Sequence, residues 1–135
     1  MASAGAPAYD AIVVGGGSVG VPSAYSLAKR GLKVLVLDRR HAVGQGDNKA
    51  AIGGVRATHS DPAKIALCLR SIEVFSTWKQ VYGDDIEWES GGYSFVAYRE
   101  KEEKTLKDLL KIQHSYGLDI QWLDRQAMAD LLQGI

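Results

Sequence analysis

The sequence predicts an α/β fold that opens on a strand–helix–strand unit and runs on into the start of an α+β region. Three observations carry this prediction. Residues 11–14 and 33–37 are short, largely β-branched or leucine-rich runs of the kind that form buried parallel strands. Between them lie the glycine-rich turn Gly15-Gly16-Gly17-Ser18-Val19-Gly20 and an apolar helical stretch. Beyond residue 60 the pattern turns to helical stripes separated by short apolar runs.

Each element has a local reason. Ala11 to Val14 reads as the first strand. The turn after it fits G-x-G-x-x-G. Gly15 allows the tight exit from the strand, Gly17 lets a pyrophosphate approach the backbone, and Gly20 lets the helix pack close to the strand. The helix aims its free N–H groups and the positive end of its dipole at phosphate. Pro22 falls in its first turn, where no N–H is required. Lys33 to Leu37 is the second strand, and Asp38 ends it, roughly 20 residues beyond the glycines. A carboxylate there can accept hydrogen bonds from both hydroxyls of an adenosine ribose. Together these form a Rossmann-like, dinucleotide-binding βαβ unit.

The residues from Asp38 onward indicate which dinucleotide. Asp38 would repel the 2′-phosphate of NADP, although Arg39 or Arg40 could pair with one. His41 to Thr58 is long, rich in Gly and Ala, and weakly periodic. A nicotinamide-binding domain normally enters its next helix within a few residues. A long loop of small residues instead suits a backbone laid against a large ring such as isoalloxazine.

The fingerprint, the Asp38-Arg39-Arg40 after the second strand and Gly53-Gly54-Val55-Arg56 resemble the FAD-dependent amine and amino-acid oxidoreductases. These are the D-amino-acid oxidase superfamily, on its sarcosine oxidase, glycine oxidase and proline dehydrogenase branch. Gly91 to Val96 is similar to that family's G-Y-x-F strand. Asp124 to Ile135 is similar to its short helix and P-G turn, with Gln133 in the place of the proline. The resemblance implies that Gly15, Gly17, Ser18, Val19 and Gly20 meet the pyrophosphate, and that Asp38 and Arg39 hold the adenosine. It places Asn48, Lys49, Ala50, Gly53 and Gly54 along the flavin. Lys49 could stabilise negative charge on the reduced ring; the alternative for Lys49 and Arg56 is that both are solvated loop charges. Some relatives attach the flavin through a histidine in this loop. Here the run is Ala50-Ala51-Ile52, so non-covalent FAD is expected. His41 and His59 read as surface or hydrogen-bonding histidines, and His114 as structural or exposed. No residue offers itself as catalytic.

Composition excludes several classes. Lys+Arg and Asp+Glu balance at 16 each, so no basic surplus suggests nucleic acid or an anionic membrane. Cys68 is the sole cysteine, which rules out an internal disulfide, and it lies in an apolar helical pattern. No Cys/His/Asp cluster has metal-ligand spacing. Met1 to Ala8 lacks a basic n-region and an apolar h-region and reads as a flexible leader. No run approaches a membrane span. A cytoplasmic location is expected.

The elements after residue 60 have equally local reasons. Asp61 or Ser60 caps a helix with Pro62 in its first turn, carrying the stripe Ile65, Cys68, Leu69, Ile72 and Phe75 and running to about Tyr82. Residues 83–85 turn. Short strands are predicted at 87–89, 93–98 and 120–123. Between the last two, Glu100 to Tyr116 forms a charged helix bearing Leu106, Leu109, Leu110 and Gln113, stopped by Gly117. Asp124 caps a final helix, Arg125 to Leu132. Trp78, Trp88 and Trp122 read as core and interface residues. The expected organisation is a leader (1–8), the N-terminal part of an FAD-binding domain (9–82) and the beginning of a substrate domain (83–135).

Two parallel strands cannot shield both faces of a sheet. The unit is therefore incomplete, and the chain is expected to be part of a longer oxidoreductase or one piece of a split enzyme completed by another polypeptide. Alone, it should expose strand edges and apolar surface, bind FAD weakly or not at all and turn nothing over. The leading function is the N-terminal part of an oxidoreductase acting on the C–N bond of an amine or amino acid, with hydride transfer to flavin. The alternatives are a non-catalytic nucleotide-binding subunit or remnant, and a small NAD-dependent enzyme.

Overall fold

The structure, a computed structural model, describes residues 8–131. Residues 1–7 of the expected leader (1–8), and Gln133 with its neighbours at the C-terminal end, lie outside the described residues. The chain divides into two compact units between Gly54 and Val55.

In the first unit, β1 (Ala11–Val14) and β2 (Val34–Leu37) pair in parallel, joined by α1 (Gly20–Ala28). The register sets Ala11 opposite Val34 and Val14 opposite Leu37. Both ends of the ladder are pinned. At its start the Asp10 N–H donates to the Lys33 carbonyl (2.9 Å), and the Asp10 carboxylate accepts from the Lys33 N–H (2.8 Å). At its end the Gly15 N–H donates to the Leu37 carbonyl (2.7 Å). Gly31, at φ 89°, closes α1 with its N–H on the Ala28 carbonyl (2.9 Å). Positive φ is the conformation that glycine reaches without a Cβ penalty.

β1 departs from the buried strand predicted. Ala11 and Val13 are half-buried, but Ile12 is 59% and Val14 84% exposed. Strand side chains alternate between faces, and α1 covers one of them. Val13 lies on the helix side, beside Gly20. The loop after β2 is also less irregular than expected, because Asp47–Ala50 winds into a single helical turn, α2.

The second unit carries α3 (Pro62–Ser76), α4 (Trp78–Tyr82), α5 (Glu100–Ser115) and α6 (Arg125–Leu131). Asp61 is the cap of α3, its carboxylate accepting from the Lys64 N–H (2.9 Å), with Pro62 next to it. The single helix predicted to Tyr82 is broken at Thr77. The Thr77 hydroxyl donates to the Glu73 carbonyl (2.8 Å) while its N–H lies 3.3 Å from the same oxygen. Such back-bonding weakens the local backbone ladder. Gly83, at φ 84°, ends α4.

α5 stops as predicted. The Gly117 N–H donates to the His114 carbonyl (2.9 Å) and the Leu118 N–H to that of Gln113 (3.2 Å), with Gly117 at φ 76°. This is the paired bonding of a Schellman cap. Asp124 caps α6 through the Ala127 N–H (2.8 Å).

The strands predicted at 87–89, 93–98 and 120–123 are absent from the described residues. The segments find no ladder partner there, and Glu87 adopts φ 54°, which interrupts extension directly. Ile65 is fully buried, with Ala57 and Gln113 nearly so. Phe75, Trp78, Tyr82 and Trp88 form an aromatic cluster, with Phe75 stacked on Trp88 at 5.9 Å and Trp78 tilted on Tyr82 at 4.5 Å.

Candidate functional site

The glycine turn between β1 and α1 concentrates the unit's backbone chemistry. α1 begins after Val19 with no side chain capping it. Among the described residues, the N–H groups of Gly17, Ser18, Val19 and Gly20 make no hydrogen bond. A helix start normally satisfies such donors with a cap, water or a ligand. Unclaimed donors beside the positive end of a helix dipole suit an anion, phosphate above all.

The three glycines of the fingerprint differ in what surrounds them. Gly15 sits at φ 104°. A Cβ at Gly20 would stand 1.8 Å from the Gly15 carbonyl oxygen, so only glycine lets α1 start this close to the strand exit. A Cβ at Gly17 would meet nothing within 4 Å. The space over Gly17 is therefore open, and a phosphate could reach the backbone there.

Asp38 is held by the turn itself. Its Oδ2 accepts from the Gly16 N–H (2.7 Å) and its Oδ1 from the Arg40 N–H (2.8 Å). The Arg40 N–H first, then that of Gly16, holds its carboxyl below the ordinary carboxylate value. A carboxylate has about four lone-pair sites, so each oxygen keeps one acceptor position beyond these bonds. Arg39 is exposed beside it.

The residues expected along the flavin are arranged more loosely. Asn48, Lys49 and Ala50 lie on α2 and are exposed, with Lys49 Nζ 3.5 Å from Gln45 Oε1. Gly53 takes φ 76°, and Gly54 is exposed. Arg56 is not a free loop charge. It is half-buried, donates to the Thr58 carbonyl (2.6 Å) and lies over the rings of Phe95 (5.3 Å) and Tyr93 (6.0 Å). His41 is exposed. The His59 carbonyl accepts from buried Gln113 (3.3 Å). The exposed His114 ring donates to the Ile120 carbonyl (2.6 Å), tying the end of α5 to the segment beyond it.

Two participants escaped the sequence reading. Gly16 occupies a variable position of the fingerprint, yet it supplies the donor to Asp38. Gly44 donates to the Gly16 carbonyl (2.8 Å) from a loop that looked unstructured. The signal for Gly16 was the unbroken glycine run at 15–17, more than the motif requires.

The second unit holds an open groove of about 980 Å³ lined by residues 91–98, α5, residues 119–125 and α6. Leu106, Leu109, Leu110, Phe95 and Met128 make its walls chiefly apolar. No group of histidine, cysteine and acidic side chains among the described residues could hold a metal ion. Nor is any helix among them long and apolar enough to cross a membrane.

Several known proteins are similar to this chain. The family model described as FAD dependent oxidoreductase matches residues 10–134. The monomeric sarcosine oxidase of Streptomyces avermitilis is 36% identical over 90 residues, covering 64% of this chain and 23% of that protein. The glycine oxidase of Bacillus licheniformis is 29% identical over 123 residues, covering 86% of this chain and 32% of that protein. The crystal structure of L-proline dehydrogenase from P. horikoshii superposes with a TM-score of 0.81 at 31% identity, over 90% of this chain and 32% of that one. The chain thus spans between about a quarter and a third of the length of these relatives.

Proposed function

Because the chain belongs to the FAD dependent oxidoreductase family, we propose that it is the FAD-binding N-terminal part of an enzyme that oxidises the C–N bond of an amine or amino acid. The observation that carries this reading is the set of unclaimed N–H donors at Gly17, Ser18, Val19 and Gly20 over the open face of Gly17. Those donors, with Gly15 shaping the turn, would hold the pyrophosphate. Asp38, with Arg39 beside it, would take the ribose hydroxyls through its remaining lone pairs. Asn48, Lys49, Ala50, Gly53 and Gly54 would run along the flavin without a covalent link.

When bound, FAD supplies the acceptor for a hydride equivalent leaving the carbon next to nitrogen. This chain's residues bind and orient. The helix N-terminus neutralises phosphate charge, the Asp38 carboxylate discriminates against a 2′-phosphate by repulsion, and Lys49 brings a positive charge to the flavin segment. In this reading residues 9–82 begin the FAD-binding domain and 83–135 begin the substrate domain, completed by further polypeptide in the same chain or another. The exposed Ile12–Val14 face of β1 supports that completion, since a buried sheet would cover it. The protein would act in the cytoplasm.

The test is a visible absorbance spectrum of the protein purified gently from its source, followed by anaerobic addition of sarcosine, glycine or proline. Flavin bands that bleach with an amine substrate are expected. A bound nicotinamide nucleotide, or no chromophore, would overturn the proposal. Flavin bands that no amine bleaches would favour a non-catalytic nucleotide-binding subunit.

A further inference from the structure

Gly16 stands at a junction that neither the fingerprint nor the family resemblance assigns. Its peptide group is used at both ends. The N–H donates to Asp38 Oδ2 (2.7 Å), and the carbonyl accepts from the Gly44 N–H (2.8 Å). Three separate segments meet there: the glycine turn, the end of β2 and the loop through Val43. Gly16 is buried, and the space beside it is filled. A Cβ at this position would lie 3.0 Å from Val43 Cγ1 and 3.3 Å from Asp38 Oδ2. The second bond on Asp38, from the Arg40 N–H, fixes the other carboxylate oxygen.

We propose that Gly16 is a positioning residue of the adenosine site, setting the Asp38 carboxylate and the Val43–Gly44 loop for the ribose without touching the cofactor. The proposal rests on the FAD-binding reading above. The physical argument is steric and directional. The Gly16 and Arg40 N–H groups each occupy one lone-pair site on Asp38 and leave the others aimed away from the backbone. A side chain at position 16 must push on Asp38, on Val43, or on both. Either shift misaligns the acceptors that a ribose needs while the pyrophosphate donors of residues 17–20 stay where they are. Asparagine at position 38 is no neutral substitute. Its amide would set a donor against either the Gly16 or the Arg40 N–H.

The test uses ADP, which carries the ribose and the pyrophosphate and lacks the flavin, titrated calorimetrically into the flavin-free protein together with the polypeptide that completes it. Gly16→Ala should weaken ADP binding about tenfold, the scale of one overpacked methyl group. The diagnostic arm places Gly16→Ala in a Val43→Ala background, where the 3.0 Å contact is gone. There the same change should cost less than about threefold, a coupling expected only of residues in direct contact. A Gly16→Ala protein that binds ADP like wild type would overturn the proposal, and equal losses in the two backgrounds would overturn its Val43 arm, leaving the 3.3 Å contact with Asp38 as the one that acts.

A second measurement needs neither a variant nor a ligand. The Gly16 amide resonance should move with the protonation of Asp38 as the wild-type chain is acidified. An amide that ignores that titration would also overturn the proposal. If the flavin-free protein, together with the polypeptide that completes it, binds no ADP while its Gly16 amide still follows Asp38, the junction stands and the dinucleotide reading fails.

Discussion

The glycine turn and the segment at 91–98 make an instructive pair. Both were read from short glycine-containing motifs. In the turn, each glycine has a geometric reason: φ 104° at Gly15, a blocked Cβ at Gly20 and open space at Gly17. In the segment, Gly91 and Gly92 precede an expected strand that forms no ladder among the described residues. The difference is one of range. A tight turn is decided by sterics within a few residues, whereas a strand is decided by a partner that lies elsewhere.

The largest effect should come from setting two glycines of one motif against each other. Gly20→Ala drives a methyl to 1.8 Å from the Gly15 carbonyl, and a loss of about 3 kcal/mol is expected in urea denaturation followed by circular dichroism. Gly17→Ala meets nothing within 4 Å and lies outside the positive-φ set. Its stability should change by about 0.5 kcal/mol, in the stabilising direction, while FAD affinity falls. Equal destabilisation by the two would erase the distinction between packing glycine and ligand glycine.

In the second unit the local rules should still hold. Removing the cap of α3 with Asp61→Ala should cost about 1 kcal/mol. Gly117→Ala, which forces a Cβ into φ 76°, should cost about the same. Neutral results from both in thermal melts would mean that local sterics decide less here than in the turn.

A smaller effect concerns acid. Asp38 is charged more readily in the folded protein than in the unfolded chain, because the Arg40 and Gly16 N–H groups donate to it. A lowered carboxylate contributes stability that is complete above the unfolded value, about 4, and is lost as pH falls through the folded one. The wild type should therefore weaken on acidification below about pH 4 more steeply than Asp38→Asn. Parallel pH profiles for the two proteins would show that the Gly16–Asp38 bond contributes no proton linkage.

How much was legible divides along the same line. Both strands of the βαβ unit, the Asp61 and Asp124 caps and the Gly117 stop fall where local chemistry predicts them. The break at Thr77 was missed, because a threonine reads as tolerable in a helix until its hydroxyl shares the Glu73 carbonyl that its own N–H reaches at 3.3 Å. The exposure of Ile12 and Val14 was missed because an apolar strand pattern cannot tell which faces are covered. In the candidate site, the motif glycines and Asp38 were visible as a pattern. Gly16 and Gly44 were not, since the hydrogen bonds they make come from backbone groups, and only the third glycine in the run at 15–17 hinted that position 16 has no room for a side chain.

The protein has three tryptophans, Trp78, Trp88 and Trp122, and all of them belong to the second unit. Indole emission therefore comes only from residues after Gly54. Trp78 and Trp88, both in ring contact with Phe75, give that signal a packed source. A melt followed by emission and one followed by far-ultraviolet dichroism watch different parts of the same chain. Coincident curves would mark one cooperative transition, and separated curves would time the loss of the first unit by subtraction.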